Sequence, residues 1–265
     1  MTRGAPGHVL AWLLAPLLVS SAAAAETTGP TYQLALGIDL PVILVSGVAA
    51  VTPLLRNESP PAWCAPLCDR SRVNGFDRAV AGVWRPAWSQ ASDVTLAALL
   101  ATPLVVMGAG EGLADAANDF VVFAETMTVA GGFASLTSAA ISRPRPFMYG
   151  TDAPLGDRST AHGSWSFFSG HTTLAFAATF FLYSTLDRRH PTSVWPALAL
   201  GAGGALAAFV GTSRVLAGRH FPTDVIAGAL VGSSIGLVVP KLHASGCTLS
   251  AESNGLPGAS LSGHF

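Results

Sequence analysis

The chain has 265 residues, of which 50% are hydrophobic and only 11% are charged, and its mean hydropathy is +0.48. A soluble domain carries roughly 25% charged residues, so this composition predicts several apolar helices in a membrane, with a soluble secreted protein as the alternative. The formal net charge of −1 excludes a broad basic surface, and we therefore expect no nucleic-acid partner.

The first 25 residues are typical of a secretory leader. Arg3 provides a short positive region, residues 9–18 form an apolar stretch, and Ala23 and Ala25 occupy the small-residue positions before a cleavage site. An uncleaved anchor is the alternative interpretation, although the apolar stretch is short for a membrane span. We assign residues 1–25 to a signal peptide or N-terminal anchor.

Five or six apolar segments follow and predict an all-α fold, a membrane-embedded bundle of about six helices. Asp39 and Pro41 weaken the first segment as a span, whereas residues 201–211 are rich in the small residues that let membrane helices pack closely. The segments are 32–55, 94–110, 119–141, 172–186, 194–210 and 225–239.

The composition of residues 26–265 divides this part of the chain into three regions. Residues 26–91 combine the first apolar segment with a polar loop that contains five arginines and the pair Cys64 and Cys68. The two cysteines could form a disulfide or remain free thiols, and the loop offers no histidine to complete a zinc site. Residues 92–240 form the helical core, and we predict that the Ser/Gly-rich tail 241–265 is disordered.

Three short polar stretches lie at boundaries of the predicted helices. Alternating helices of an up-down bundle bring such ends to one membrane face, so we expect the three to meet there. Each stretch alone has an ordinary explanation, such as a helix stop or a surface ion pair, but their joint order indicates a site. The stretches are Ser142–Pro146 (SRPRP), Ser166–His171 (SFFSGH) and Ser213–Asp224 (SRVLAGRHFPTD).

Four residues of these stretches predict an anion pocket. Arg145 and Arg214 carry planar guanidinium groups, each of which can bind two phosphate oxygens. Ser169 and Gly170 begin a helix, where free backbone N–H groups and the helix dipole favour an anion. Gly170 also lets the backbone approach a ligand closely, because it has no side chain.

Two histidines and an aspartate suggest phosphoryl transfer in that pocket. His220 and Asp224 are four residues apart and would share one face of a helix, so the carboxylate can hold one imidazole nitrogen and leave the other as a nucleophile. His171, at the start of another helix, is placed to act as a general acid. No cluster of metal-type carboxylates accompanies these residues, so we expect neither a metal nor another cofactor.

The region from Ser92 to Pro240 resembles the type 2 phosphatidic acid phosphatase superfamily, which shares its fold with vanadium haloperoxidases and bacterial acid phosphatases. The family motifs are Lys-x6-Arg-Pro, Pro-Ser-Gly-His and Ser-Arg-x5-His-x3-Asp. The third motif is matched in full, the second has Phe168 in place of proline, and the first has Ser138 in place of lysine. The matching residues are Arg145, Pro146, Ser169, Gly170, His171, Ser213, Arg214, His220 and Asp224.

The resemblance implies a role for each matched residue. His220 would attack phosphorus to form a phosphohistidine, Asp224 would orient it, and His171 would protonate the leaving group and later activate water. Arg145, Arg214, Ser169 and Gly170 would hold the phosphate. Loss of the lysine removes a charge-assisted contact worth about 1.5–3 kcal/mol. Arg143 and Arg219 are candidates to replace it.

We therefore predict a membrane phosphatase that acts on a lipid-like phosphomonoester or diphosphate, with no evident protein partner. The alternatives are a vanadate-dependent haloperoxidase, a phosphate-headgroup binding protein that has lost catalysis, and a soluble periplasmic acid phosphatase. We expect a multi-pass protein of a bacterial-type inner membrane. Arg188 and Arg189 mark the face opposite the motifs as cytoplasmic and favour a periplasmic site, although the arginines of the 56–91 loop argue the reverse.

Overall fold

The computed structural model describes residues 31–55, 64, 67–244, 248–251 and 259–262. The predicted leader or anchor, residues 1–25, lies outside the described residues. The described α-helices are α1 (Leu36–Val51), α2 (Pro86–Asp115), α3 (Ala117–Ile141), α4 (Leu155–Arg158), α5 (Gly170–Arg189), α6 (Trp195–Leu216) and α7 (Pro222–Leu242). Single 3₁₀ turns cover Thr52–Leu55, Arg70–Arg72, Arg78–Val80, Pro146–Tyr149 and Ala161–Ser164.

The predicted all-α, membrane-embedded bundle is confirmed. Six long helices, α1, α2, α3, α5, α6 and α7, coincide with the six apolar segments. Four segments of the described part of the chain are long and apolar enough to cross a membrane, and the chain is a multi-pass membrane protein. Side chains such as Leu44, Val105 and Leu230 are 65–67% exposed and present apolar groups to lipid. The four segments are Pro86–Gly110, Ala117–Tyr149, Trp195–Leu216 and Pro222–Leu242.

Helix α5 lies at the centre of the bundle, where it packs against α2, α3, α6 and α7. Its closest approach is to α7, because Gly228, Gly232 and Gly236 recur every four residues along one face. A Cβ atom at Gly232 would lie 2.2 Å from the carbonyl oxygen of Thr173. The sequence placed the clearest close packing in residues 201–211. Gly203 and Gly211 of that stretch do pack closely, with an added Cβ atom 2.9 Å from Thr179 and 2.7 Å from Val225, whereas Gly201 and Gly204 meet nothing within 4 Å.

Local chain signals set the three helix ends that carry the motifs. Ser142 ends α3 in the left-handed conformation, and Pro144 then directs the chain out of the helix. Ser169 caps the start of α5, where its side chain accepts a hydrogen bond from the N–H of Thr172. Pro222 occupies the first turn of α7, a position where its missing N–H costs nothing.

The loop between α1 and α2 lies across the same end of the bundle. The N–H of Cys68 donates to the carbonyl of Met148, and the N–H of Gly82 donates to the carbonyl of Pro146. Gly218 has φ +75°, and a Cβ atom there would lie 1.8 Å from the carbonyl oxygen of Val83, so the loop backbone touches the third motif directly. A small apolar core joins loop and motifs: Cys64, Cys68, Val73, Ala81, Phe147, Met148, Tyr149, Ala153 and Phe221.

The structure decides between the two interpretations of the loop cysteines, because Cys64 and Cys68 are joined by a disulfide. The disorder predicted for the tail 241–265 stays a prediction. Helix α7 continues to Leu242, where His243 caps it by bonding the Val239 carbonyl. Two short strands follow, β1 (Thr248–Ala251) and β2 (Ala259–Ser262), and they pair antiparallel.

Candidate active site

The three polar stretches meet at one end of the bundle, as the sequence predicted. The N–H of Ser169 donates to the carbonyl of Asp224 at 3.0 Å, which ties the start of α5 to the start of α7. The N–H of Ser166 donates to the carbonyl of Arg143 at 2.9 Å, which ties the second stretch to the first. Backbone hydrogen bonds therefore hold the candidate residues in one place.

His220 is buried, and one of its two ring nitrogens is hydrogen-bonded. Its Nδ1 lies 2.7 Å from the carbonyl oxygen of Ser166. A carbonyl can only accept, so Nδ1 carries the hydrogen and Nε2 keeps its lone pair. Burial lowers the pKa of His220 well below 6.5, and the positive charges of Arg145 and Arg214 lower it further. The result is a neutral imidazole with a free nitrogen beside two guanidinium groups.

Asp224 holds His220 indirectly, and this differs from the expected direct contact. The Nδ1 of His220 lies 3.9 Å from Oδ2 of Asp224. That oxygen instead accepts hydrogen bonds from the hydroxyl of Ser166 at 2.5 Å and from the N–H of Phe221 at 2.8 Å. The two residues do not share a helix face, because α7 begins at Pro222, after His220. Ser166 is therefore the connection between them.

Arg143 binds two carboxylates and faces the ring of Phe221. One NH group lies 2.5 Å from Oδ1 of Asp224, and the other lies 2.8 Å from Oδ2 of Asp77. Its guanidinium carbon is 4.3 Å from the centre of the Phe221 ring. With both ends engaged, Arg143 stabilises the start of α7 and is a poor replacement for the missing motif lysine.

Asp77 is a buried residue that the sequence did not indicate. It accepts hydrogen bonds from the side chains of Arg143, Thr223 and Asn74 and from the N–H of Thr223. Burial by itself would raise the pKa of Asp77, but these hydrogen bonds outweigh it and lower the pKa below the usual value. The only sign of Asp77 in the sequence was an acidic residue inside the arginine-rich loop.

Three arginines of the candidate site each have a side-chain N–H group without an acceptor. Arg145, Arg214 and Arg219 each have a buried Nε with no hydrogen-bond partner among the described residues. The guanidinium of Arg219 lies over the Trp84 ring, 4.6 Å from its centre, and burial lowers the pKa of Arg219. Buried donors normally have partners. The arrangement is that of a pocket which an anion would complete.

His171 is held by an aspartate on α2. Its Nε2 lies 2.9 Å from Oδ1 of Asp93, and the same oxygen lies 3.3 Å from an NH group of Arg214. Arg214 also donates to the hydroxyls of Ser89 and Ser92. A sequence signal for this cluster existed, since residues 89, 92 and 93 lie on one face of an otherwise apolar helix.

Ser138 and the backbone of Ser169 have partners within the protein. The Ser169 hydroxyl accepts from Thr172 and keeps its own O–H to donate, whereas the N–H of Ser169 donates to the carbonyl of Asp224. Gly170 and His171 supply the first two N–H groups of α5, which have no acceptor within the helix. Ser138 is buried and lies 3.4 Å from the carbonyl of Phe168.

The fold and the site define a multi-pass helical membrane protein with buried histidine and arginine side chains grouped at one end. A family model described as the PAP2 superfamily matches residues 119–245. This region belongs to the PAP2 superfamily, which confirms the resemblance seen in the motifs. Asp77, Ser89, Ser92 and Asp93 lie before the matched region, although the structure places them at the site.

Two curated proteins are similar to part of the chain. The probable diacylglycerol pyrophosphate phosphatase 1 of Schizosaccharomyces pombe is 31% identical over 134 residues, covering 42% of this chain and 48% of that protein. The lipid A 1-phosphatase of Porphyromonas gingivalis is 32% identical over 110 residues, covering 42% of this chain and 20% of that protein. The matches thus span about half the length of one relative and a fifth of the other.

A solved structure, the first transmembrane PAP2 type phosphatidylglycerolphosphate phosphatase from Bacillus subtilis, has a TM-score of 0.42 and 22% identity to this chain. The comparison covers 77% of this chain and 94% of that one.

Proposed function

We propose that this protein is a membrane lipid phosphatase that hydrolyses a phosphomonoester or diphosphate through a phosphohistidine on His220. The observation that carries the proposal is the free Nε2 of a neutral, buried His220 beside Arg145 and Arg214. Phosphoryl transfer requires positioning and charge stabilisation above all. The site offers both positioning and positive charge through the residues named above.

In the first step Nε2 of His220 attacks phosphorus, a P–N bond forms, and the P–O bond to the leaving group breaks. His171 donates a proton to the leaving oxygen. In the second step His171 takes a proton from a water molecule, whose oxygen attacks phosphorus and breaks the P–N bond. Inorganic phosphate leaves and His220 returns to its neutral form. The Ser166 carbonyl and Asp224 stabilise the charge that develops on the imidazole meanwhile.

Arg145, Arg214 and Arg219 bind the phosphate oxygens in this mechanism. Their unpaired Nε atoms support the assignment. Arg219 supplies the positive charge that the missing lysine would give, whereas Arg143 is bound to Asp77 and Asp224. Each charge-assisted contact contributes about 1.5–3 kcal/mol. Asp93 positions His171 and steadies Arg214.

The substrate in this proposal is amphiphilic, because the site lies at the end of a membrane bundle. The names of the two curated relatives, a diacylglycerol pyrophosphate phosphatase and a lipid A phosphatase, support a lipid phosphate. Phosphatidate-like lipids, phosphatidylglycerol phosphate, polyprenyl diphosphates and lipid A phosphates share the required headgroup. The membrane and this lipid are the partners we propose.

We place the site on the periplasmic face of a bacterial-type inner membrane. The Cys64–Cys68 disulfide lies at the same end of the bundle as the site, and disulfides persist in oxidising compartments. Arg188 and Arg189 end α5 at the other face, as expected for the cytoplasmic side. Alkaline phosphatase fused after Leu55 should be active and the same fusion after Arg189 inactive; the reverse pattern would place the site in the cytoplasm.

Trapping of the intermediate tests the mechanism. The purified protein in detergent is incubated briefly with ³²P-labelled phosphatidate and quenched in alkali. We expect label on the wild-type chain, stable to base and released by acid, and none on His220→Ala. The exposed His190 provides the matched control, since His190→Ala should label normally. Tight lipid binding without turnover or label would identify a headgroup-binding protein instead.

A further inference from the structure

A second polar cluster lies at the end of the bundle opposite the candidate active site. It consists of Asp39 on α1, Glu125 on α3 and His243 at the end of α7. All three are buried, with 3%, 7% and 9% of their surfaces exposed. The Nε2 atom of His243 lies 3.3 Å from Oδ1 of Asp39 and 3.3 Å from Oε2 of Glu125.

The ligand atoms of this cluster face one another. The Nδ1 of His243 lies 2.9 Å from the Val239 carbonyl, so it carries a hydrogen, and Nε2 faces the two carboxylates. Oε2 of Glu125 is buried, has no hydrogen-bond partner among the described residues, and belongs to a side chain that is 9% exposed. Two carboxylates around one buried point repel each other unless a cation, either a proton on Nε2 or a metal ion, lies between them.

The distances admit a metal ion, since the three ligand atoms lie within 4.8 Å of one another, and the charge balance favours one over a proton. Two ligand atoms about 2.1 Å from a tetrahedral zinc ion lie about 3.4 Å apart, and both His243 separations are 3.3 Å. A proton on Nε2 leaves Glu125 without a hydrogen bond and the cluster with a net charge of −1. A divalent cation with neutral imidazole and two carboxylates makes the buried cluster neutral.

The surroundings also resemble those of metal ligands. A metal-binding histidine usually donates its other N–H to a carbonyl or carboxylate, which fixes the ring and the tautomer; here the Val239 carbonyl is the acceptor. Asp39 is oriented in the same way, because its second oxygen accepts from the N–H of Ala35 at 2.7 Å. One nitrogen and two oxygen ligands form a donor set that zinc accepts, with a fourth position open.

We propose that Asp39, Glu125 and His243 bind a divalent cation of the zinc type, which joins α1 to α3 and α7. The ion is structural and distinct from the phosphate chemistry, since the cluster lies at the other end of the same helices. Ligands from three helices make the ion a cross-link that the unfolded chain cannot hold equally well. Binding therefore adds stability that grows with the logarithm of the ratio of free zinc to its Kd.

The test uses the full chain purified in detergent without a histidine tag. After loading with ZnCl₂ and dialysis, mass spectrometry of the metal should find about one zinc per chain in the wild type. It should find almost none in Asp39→Asn, Glu125→Gln or His243→Asn. His190→Asn and His220→Ala are matched controls that should keep the metal, and the latter separates this result from phosphatase activity.

A second measurement rests on the wild type, with one variant as its control. A chelator should lower the thermal unfolding midpoint of the wild type by several degrees, and added ZnCl₂ should restore it. Glu125→Gln should show neither change. A wild-type chain that holds less than a tenth of an equivalent of zinc, or whose midpoint ignores both reagents, would overturn the proposal and leave a proton as the shared cation.

Discussion

Ser166 connects Asp224 to His220 by using two different groups. Its hydroxyl donates to Oδ2 of Asp224 at 2.5 Å, while its carbonyl accepts from Nδ1 of His220 at 2.7 Å. The carboxylate therefore acts on the imidazole through the backbone of another residue. This arrangement separates the two contributions, because a side-chain substitution at Ser166 removes the first hydrogen bond and preserves the second.

Ser166→Ala should lower kcat about five- to tenfold, since one hydrogen bond of roughly 1 kcal/mol that positions the carbonyl is lost. Asp224→Asn should lower kcat by about 100-fold, because it also weakens the hold on Arg143 and on the first turn of α7. Steady-state kinetics on a short-chain phosphatidate measure both. An unchanged kcat in Ser166→Ala would show that the hydrogen bond from Ser166 to Asp224 does not affect turnover.

His220→Ala should reduce turnover to less than a hundredth of the wild-type rate, since no other described group can form the covalent intermediate at that position. The variant should still fold, as judged by its thermal midpoint and its elution from a sizing column. Activity above that level in a folded variant would count against His220 as the nucleophile. His190→Ala serves as the reference, because this histidine is exposed.

Arg219→Gln should lower kcat/KM by about 10- to 100-fold, which corresponds to one charge-assisted contact of about 1.5–3 kcal/mol. Arg219→Lys keeps the charge and should recover part of the loss, whereas a purely structural role against Trp84 predicts equal damage from both changes. Arg85→Gln is the matched control on an exposed arginine nearby and should stay within twofold of wild type.

The pH dependence of kcat/KM should reflect the lowered pKa of His220. The attacking nitrogen must be neutral, so the acid limb of the profile reflects protonation of His220 as the pH drops through that pKa, which lies well below 6.5. We expect the acid limb below pH 6.5 after correction for the substrate, whose second phosphate pKa is about 6. An acid limb centred above 6.5 would mean that the arginines and burial do not keep His220 neutral.

Asp77→Asn should lower stability at neutral pH by about 1–3 kcal/mol, the value of a charge-assisted contact to Arg143. The folded pKa of Asp77 is lowered, so its carboxylate stabilises the fold above the unfolded value near 3.9 and loses this effect as pH falls through the folded pKa. The difference between the thermal midpoints of wild type and variant should shrink below about pH 4. A difference between the two midpoints that stays constant with pH would contradict the role of Asp77 as an ionised partner of Arg143.

The sequence predicted the helices and the motif positions for a physical reason. Apolar length alone identifies membrane helices, and the spacing of Ser213 to Asp224 is fixed within one short segment. The pairings of Asp77 and Asp93 were beyond reach, because their partners Thr223 and His171 lie 146 and 78 positions away. The contact between His220 and Asp224 was expected on one helix, and Pro222 prevents it by starting α7 between them.

The hydrogen bond from Thr223 to Asp77 has a consequence for biogenesis. Asp77 leaves the ribosome before five of the six long described helices, and its partner belongs to the last of them. His220 lies two residues before that helix, so the pocket forms only after most of the chain has been made. Nascent chains stalled before His220 would therefore carry Arg145 and His171 without any capacity to attack a headgroup.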